Sequence, residues 1–365
     1  MLPVNPKRRR GSQSHDGIEN PETTDTGSKK GLLAKMTMNL SMEVFVDEFL
    51  DKRIVPDRQK ILYVGMKYDY GFREWGLSYE HYNLYLALQS MGYSLVYFDY
   101  QNFGKRFGTD RTTALLKEAV YYYHPNLLFY VHIHDVIDHD AWKGMDVKKV
   151  IHLADDHWRY EETKPVWELF DNVITTDVEG YQKRTGKCNV ILSQWGVNLR
   201  LYRKMDIEKK YDVTFIGRVH SDRQEFVNKL RAAGISVRTF GVGWDGKDER
   251  ISQADMVRII NQSKIVLNMS MSSKGGKIQV KGRDFEVTCC GSMLLTQDSP
   301  EIRKCFLPGE EIAIYKDVQD AIEQCRYYLE NDEKRESIAE RGRARTLLEH
   351  TAEYEMRKML KGVGL

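Results

Sequence analysis

The chain has 365 residues, 41% hydrophobic and 30% charged, with 55 Lys and Arg against 53 Asp and Glu, a net charge of +2. That balance is that of a water-soluble globular protein long enough for two domains, and so small a basic excess gives no reason to expect a general nucleic-acid coat protein. The five cysteines form neither a disulfide framework nor a zinc site, and the longest apolar runs fall far short of a membrane span.

Residues 1–36 are polar and nearly devoid of large apolar side chains, which predicts a disordered tail. The basic run Lys7, Arg8, Arg9, Arg10 sits in it and reads as a solvated tail, with nuclear import or nucleic-acid contact as the alternative. The first thirty-odd residues lack the apolar segment of a signal peptide, and together with the unpaired cysteines this predicts a cytoplasmic protein.

From residue 60 a regular pattern begins. The runs at 60–65 (KILYVG), 94–99, 126–132, 149–154, 172–176 and 189–194 are short and continuously apolar, as in strands buried on both faces. Helical segments separate them, such as Glu80 to Met91, closed by Gly92. Alternating strands and helices imply a parallel sheet, here a first Rossmann-like domain over 37–200.

A charged stretch, Leu199 to Tyr211, reads as the interdomain linker. The alternation then restarts, with strands expected at 212–217, 236–241, 264–270, 292–296 and 311–315, giving a second Rossmann-like domain over 208–340. Two charged helices, Asp317 to Glu330 and Glu333 to Leu360, finish the chain, the last part (341–365) being a C-terminal helix. The fold class is therefore α/β, two doubly wound domains facing each other across a cleft. In such sheets ligands bind at the carboxyl ends of the strands.

Gly217 ends a predicted strand, and a helix is expected to start at Ser221, whose hydroxyl would cap it with Gln224 completing a capping box. Val227, Leu230 and Phe226 supply its buried face. A helix N-terminus offers unpaired N–H groups and a positive dipole end, and Arg218 and Arg223 flank this one, a combination suited to a diphosphate. Two ordinary surface arginines are the plainer alternative. Downstream, Lys281 and Arg283 add positive charge, and Glu286 falls in a short helix at the cleft, where a carboxylate can accept both hydrogen bonds of a ribose diol. Phe285, Cys289 and Cys290 read as packing residues.

The passage QVKGRDFEVTCCGSMLLTQDSPEI, followed by FLPGEEIAIYKDVQDAIEQCRYYLENDEKR, resembles the carboxyl-terminal domain of the glycosyltransferases related to the spore-maturation protein CgeB. That family is similar in turn to the two-domain, nucleotide-sugar-dependent transferases of the GT-B fold. The resemblance covers roughly 208–360 and implies that Glu286 is the second glutamate of a Glu-x7-Glu motif that holds the donor ribose. It also implies that Arg218 and Arg223 take the places of an Arg-x4-Lys phosphate pair. The first motif glutamate would fall at position 278, which is Ile278, so the group that normally contacts the donor sugar is missing or replaced.

In the first half, the strand at 60–65 runs into a glycine-punctuated aromatic loop holding Gly65, Tyr70, Gly71 and Trp75. The resemblance places a donor- and acceptor-contacting loop there. Aromatic faces suit sugar or base stacking, and packing of Trp75 on its own domain is the alternative. His132 or His134 is implied to touch the transferred sugar. Asp155 or Asp156 is the candidate base if transfer inverts the anomeric centre, with helix capping expected of at least one of them. No metal site and no cofactor are expected beyond a nucleotide sugar as co-substrate, its diphosphate being met by cationic side chains and a helix dipole. The expected activity is metal-independent transfer of a hexosyl or related sugar to a hydroxyl acceptor, possibly a glycan or DNA. A phage-type DNA-base glucosyltransferase, a nucleotide-sugar epimerase and a non-catalytic nucleotide-sugar-binding protein are the alternatives.

Overall fold

The computed structural model describes residues 50–244, 250–271 and 276–365. The expected disordered tail and its basic run lie outside the described residues.

The first sheet has seven strands: β1 (Asp51–Arg53), β2 (Lys60–Gly65), β3 (Ser94–Asp99), β4 (Leu127–His132), β5 (Lys149–Leu153), β6 (Asn172–Thr175) and β7 (Asn189–Leu192). Their order is β1-β3-β2-β4-β5-β6-β7, parallel except for β1, a short antiparallel edge strand that the apolar pattern does not reveal. Successive residues of β2, β3 and β4 enter two different cores. Leu62, Val64, Val96, Phe98, Leu128 and Tyr130 face one side, and Ile61, Tyr63, Leu95, Tyr97, Leu127 and Phe129 the other. The continuous hydrophobicity of the strands is thus the period-two pattern filled on both faces.

The covering helices are α1 (Leu86–Ser90), entered through a π-helical turn at His81–Tyr85, α2 (Tyr100–Tyr123), α3 (Asp156–Trp167) and α4 (Val178–Arg184). Gly92, expected to close α1, has φ +84, the left-handed geometry glycine adopts without strain.

The second sheet contains β8 (Tyr211–Ile216), β9 (Val237–Phe240), β10 (Ser263–Asn268), β11 (Met293–Gln297) and β12 (Ala313–Tyr315) in the order β12-β11-β10-β8-β9, all parallel. Its helices are α5 (Ser221–Ala232), α6 (Gln253–Asn261), α7 (Gly282–Cys289), α8 (Ile302–Cys305), α9 (Val318–Glu330) and α10 (Asp332–Glu349). Strand order reverses between β8 and β10, so the crevice at the carboxyl ends of these two strands is where this sheet takes a ligand.

The expected continuous helix from Glu333 to Leu360 is in fact two. It breaks after Glu349, and α11 (Ala352–Gly362) starts anew with the Thr351 hydroxyl accepting a hydrogen bond from Tyr354 N–H at 3.1 Å. Ala352, Met356, Met359 and Leu360 of α11 pack into the core of the first sheet, so the chain returns to its first lobe at the end. No glycine or proline marks the break. A threonine cap and a change of packing partner create it. The expected linker is also less free than its charge suggests. Tyr202 is buried, and its hydroxyl pairs with Gln253 at 3.1 Å.

Candidate functional site

At the β8–β10 switch point a cavity of about 320 Å³ opens between the lobes. The second lobe lines it with Phe215, Ile216 and Gly217 at the end of β8, Asn268 and Met269 at the end of β10, Arg223 on α5, and Lys281, Gly282, Arg283 and Glu286 at the start of α7. The first lobe closes it with Tyr79, Glu80 and Trp195.

The start of α7 is held from beneath by a buried polar cluster. Asp284 accepts hydrogen bonds from Lys281 N–H at 2.9 Å, Thr296 Oγ1 at 2.8 Å and Asn268 Nδ2 at 2.5 Å. Burial pushes its carboxyl up, against those hydrogen bonds. The cluster fixes the helix so that its N-terminus, with Lys281 and Arg283 beside it, opens on the cavity. Tyr79 packs closely on Gly282: a Cβ there would come within 2.6 Å of its ring. Glu286 is buried and ion-paired with Arg283 at 2.6 Å.

Arg223 reaches the cavity from α5. Its guanidinium donates to the Arg218 carbonyl at 3.0 Å and lies 5.4 Å from the Phe215 ring. Arg218 itself is exposed and is not among the residues lining the cavity. Ser221 is the first residue inside α5, so the cap position falls to His220 and not to the expected Ser221, and the His220 side chain makes no cap bond. The helix N-terminus that lines the cavity is that of α7. Gly217 is packed close: its carbonyl accepts from Trp244 Nε1 at 2.8 Å, and a Cβ on Gly241 would lie 2.6 Å from that same oxygen.

In the first lobe the outcome is mixed. Asp156 is fully buried in a bidentate ion pair with Arg184, and it accepts from Thr175 Oγ1 at 2.8 Å. It cannot meet an acceptor, so the base assignment fails there. Residues of its type at a strand end look alike in sequence whether they face the cleft or the next helix. His132 is equally enclosed, its ring held between Asp135 at 2.9 Å and Arg159 at 3.3 Å. His134 is half-buried, 6.0 Å from the Tyr70 ring. Gly65 is buried at the end of β2, and Gly71 turns the following loop at φ +72.

Trp75 packs on Phe72 with ring centroids 4.4 Å apart and tilted by 37°, and it receives the Arg250 guanidinium at 3.9 Å, while Asp69 of the same loop pairs with Arg250. The loop thus grips the second lobe through an arginine. Asp155 crosses the cleft too, accepting from Gln279 Nε2 at 2.8 Å and Lys281 Nζ at 3.3 Å. Burial alone would raise its carboxyl, but Lys281 and Gln279 outweigh that and hold it below the usual range. Among the described residues no cluster of His, Cys, Asp or Glu could hold a metal ion, and no helix is long and apolar enough to cross a membrane.

Residues 220–361 match the family model described as glycosyl transferase-like. No curated protein matches the chain. Among solved structures, sucrose-phosphate synthase from Thermosynechococcus elongatus is similar over 83% of this chain and 98% of its own, at 13% identity and TM-score 0.57. HepE from Anabaena in complex with UDP-glucose is similar over 83% and 98%, at 12% identity and TM-score 0.57. A DNA-modifying β-glucosyltransferase, solved with and without uridine diphosphoglucose, is similar over 84% and 100%, at 12% identity and TM-score 0.55.

The chain has the GT-B fold. In its GT-B cleft the sequence had marked Gly217, Arg223, Lys281, Arg283 and Glu286, all of which line one cavity. It had not marked Tyr79, Glu80, Trp195 and Asn268. Glu80 and Tyr79 sit at the start of the amphipathic segment before Gly92, and a carboxylate at a helix start reads as a dipole partner rather than a cavity wall.

Proposed function

We propose that the protein is a glycosyltransferase that moves a hexose or related sugar from a nucleoside diphosphate sugar to a hydroxyl acceptor, in the manner of the CgeB-related transferases. The observation that carries this reading is the convergence of Arg223, Lys281, Arg283 and the α7 N-terminus with the buried carboxylate of Glu286 on one interlobe cavity. The cations and the helix dipole meet the diphosphate and the charge that grows on it as it leaves. Glu286, spaced one turn into α7 and held by Arg283 and the Tyr202 hydroxyl, takes the ribose hydroxyls with the acceptor positions that remain on its carboxylate. The sugar then points toward Tyr79, Glu80 and Trp195. No metal ion is needed for this charge balance, and the nucleotide sugar is the only co-substrate. The family match over 220–361 and the GT-B neighbours seen with UDP-glucose support a nucleotide-sugar donor.

The test is a thermal-shift and nucleotide-release screen against uridine, guanosine, adenosine and thymidine diphosphate sugars. A donor at one hundred times its Kd stabilises the fold by about 2.7 kcal/mol, and the donor that does so releases its nucleoside diphosphate when an acceptor is supplied. Stabilisation by none of them, or isomerisation of the donor without release, refutes the transferase reading.

A further inference from the structure

Asp155 occupies the N-cap of α3, yet it does not cap. Its backbone is left-handed, at φ 54 and ψ 36, and its side chain accepts no hydrogen bond from the helix. Asp99, Asp177 and Asp317 hold the same place on α2, α4 and α9 and behave as the residue type predicts. Each keeps a negative φ and accepts from a backbone N–H of the first turn: Asp99 from Asn102, Asp177 from Gly180, Asp317 from Gln319 and Asp320. Of these four, only Asp155 forgoes the cap bond and takes a conformation that residues other than glycine rarely adopt.

Both departures have one effect: the carboxylate leaves its own helix and crosses the cleft. There a single oxygen, Oδ1, accepts from the buried Gln279 Nε2 at 2.8 Å and from Lys281 Nζ at 3.3 Å. Lys281 lines the interlobe cavity and stands at the N-cap of α7. A lysine is a point charge on a flexible stem, so without a partner its ammonium has no fixed place in the cavity. Asp155 engages one of its N–H groups and leaves the others for a ligand. A second pair joins the same lobes without this consequence. Lys277 reaches Asp177 and Glu179, both at 3.4 Å, and it is not among the residues lining the cavity.

We propose that Asp155 is a positioning residue that sets the Lys281 ammonium against the donor diphosphate, so that a residue of the first lobe completes the cationic wall of the second. The proposal rests on the transferase reading above. Asp155 acts only through Lys281: it fixes where the positive charge stands as negative charge grows on the departing nucleoside diphosphate.

The experiment uses the full chain and the donor identified by the screen. D155N tolerates the left-handed backbone and can still accept from Gln279, but it lacks the charge that holds Lys281. Its kcat is expected to fall about 10- to 100-fold, the cost of displacing a catalytic group by about 1 Å. KM for the donor should change by less than about threefold, because the diphosphate charge grows in the transition state. In a K281M background, D155N should cost less than about twofold more, since the residue it acts through is gone. K277M, which cuts the other cross-cleft pair, should keep kcat within about threefold of wild type. D155G takes the left-handed backbone without strain and has no carboxylate, so it should lose at least as much kcat as D155N and serves if D155N does not fold. Three results each overturn the proposal: wild-type kcat in either Asp155 variant, losses that multiply in the D155N/K281M double variant, or a K277M loss as large as that of D155N. The last would assign the effect to lobe contact in general. Absence of nucleotide release by wild type with every donor refutes the transferase reading and the proposal with it, whereas wild-type turnover that D155N leaves intact refutes only the positioning role.

Discussion

Asp156→Ala separates a structural carboxylate from a chemical one. Asp156 and Arg184 are both completely buried, and the guanidinium sits between the Tyr160 and Trp167 rings at 4.7 Å from each. Removing the carboxylate strands a buried cation whose remaining hydrogen bonds are to the Gly180 carbonyl at 3.1 Å and the Thr163 hydroxyl at 3.5 Å. Breaking a buried pair in this way costs about 3–5 kcal/mol. The Thr175 hydroxyl also loses its acceptor, worth about 1 kcal/mol more. Replacing both partners, Asp156→Leu with Arg184→Met, should recover most of the loss, because two apolar side chains leave no uncompensated charge. Urea unfolding followed by tryptophan fluorescence reads this directly, since Trp167 packs on the arginine. A loss below about 1 kcal/mol for the single variant would refute the buried-charge reasoning. A fully stable Asp156→Ala protein with no turnover would return the residue to the chemistry.

Glu286→Ala should weaken nucleoside diphosphate binding by about 1.5–3 kcal/mol, the range for a hydrogen bond to a charged group, and an unchanged calorimetric titration removes it from the ribose site. Arg223→Ala should lower kcat by about 10²- to 10³-fold, as losing a donor to developing oxyanion charge does. Arg218→Ala, at an exposed position outside the cavity lining, should cost less than tenfold, and steady-state kinetics showing the reverse order would reassign the phosphate contact. Stability should fall on acidification between about pH 6.5 and pH 4. Burial lowers His81 and His152 to about 4, so in this window the unfolded chain binds protons that the folded chain refuses. A His152→Phe variant should flatten that slope in denaturant melts measured across pH, and an unchanged slope would mean that the ring is not buried neutral.

The parallel sheets were legible because strands buried on both faces leave continuous apolar runs, as at Leu127 to Val131, and only an architecture with helices on both sides explains them. The break at His350 was not legible, because no glycine or proline announces it. It depends on α11 burying Met356 and Met359 against a sheet some two hundred residues earlier in the chain. The second-lobe wall of the cavity was legible for a similar local reason: Gly217 and Arg223 lie in one strand-to-helix turn, and Lys281, Arg283 and Glu286 lie at the start of one helix. The first-lobe wall was not. Asp155 and Asp156 are neighbours of one residue type, yet Asp155 takes a left-handed backbone with φ +54 and turns to the cleft, while Asp156 turns into the lobe to meet Arg184. Which way each points depends on partners at positions 184 and 281, a long-range fact that no local pattern carries.

The same geometry accounts for Ile278. In the segment leading into α7, Lys277 reaches Asp177 and Glu179, while Gln279 and Lys281 both reach Asp155. Val280 packs in the second-lobe core, and Ile278 bridges antiparallel to Met271. Alternate residues of an extended chain face opposite ways, so one register sets all three cleft-crossing contacts and excludes position 278 from them. A one-residue slip would present Ile278 and Val280 to the first-lobe carboxylates and leave two lysines facing the apolar side, which is why the register is fixed. Ile278 is therefore absent from the cavity lining, which Asn268, Lys281, Tyr79, Trp195 and Glu80 share.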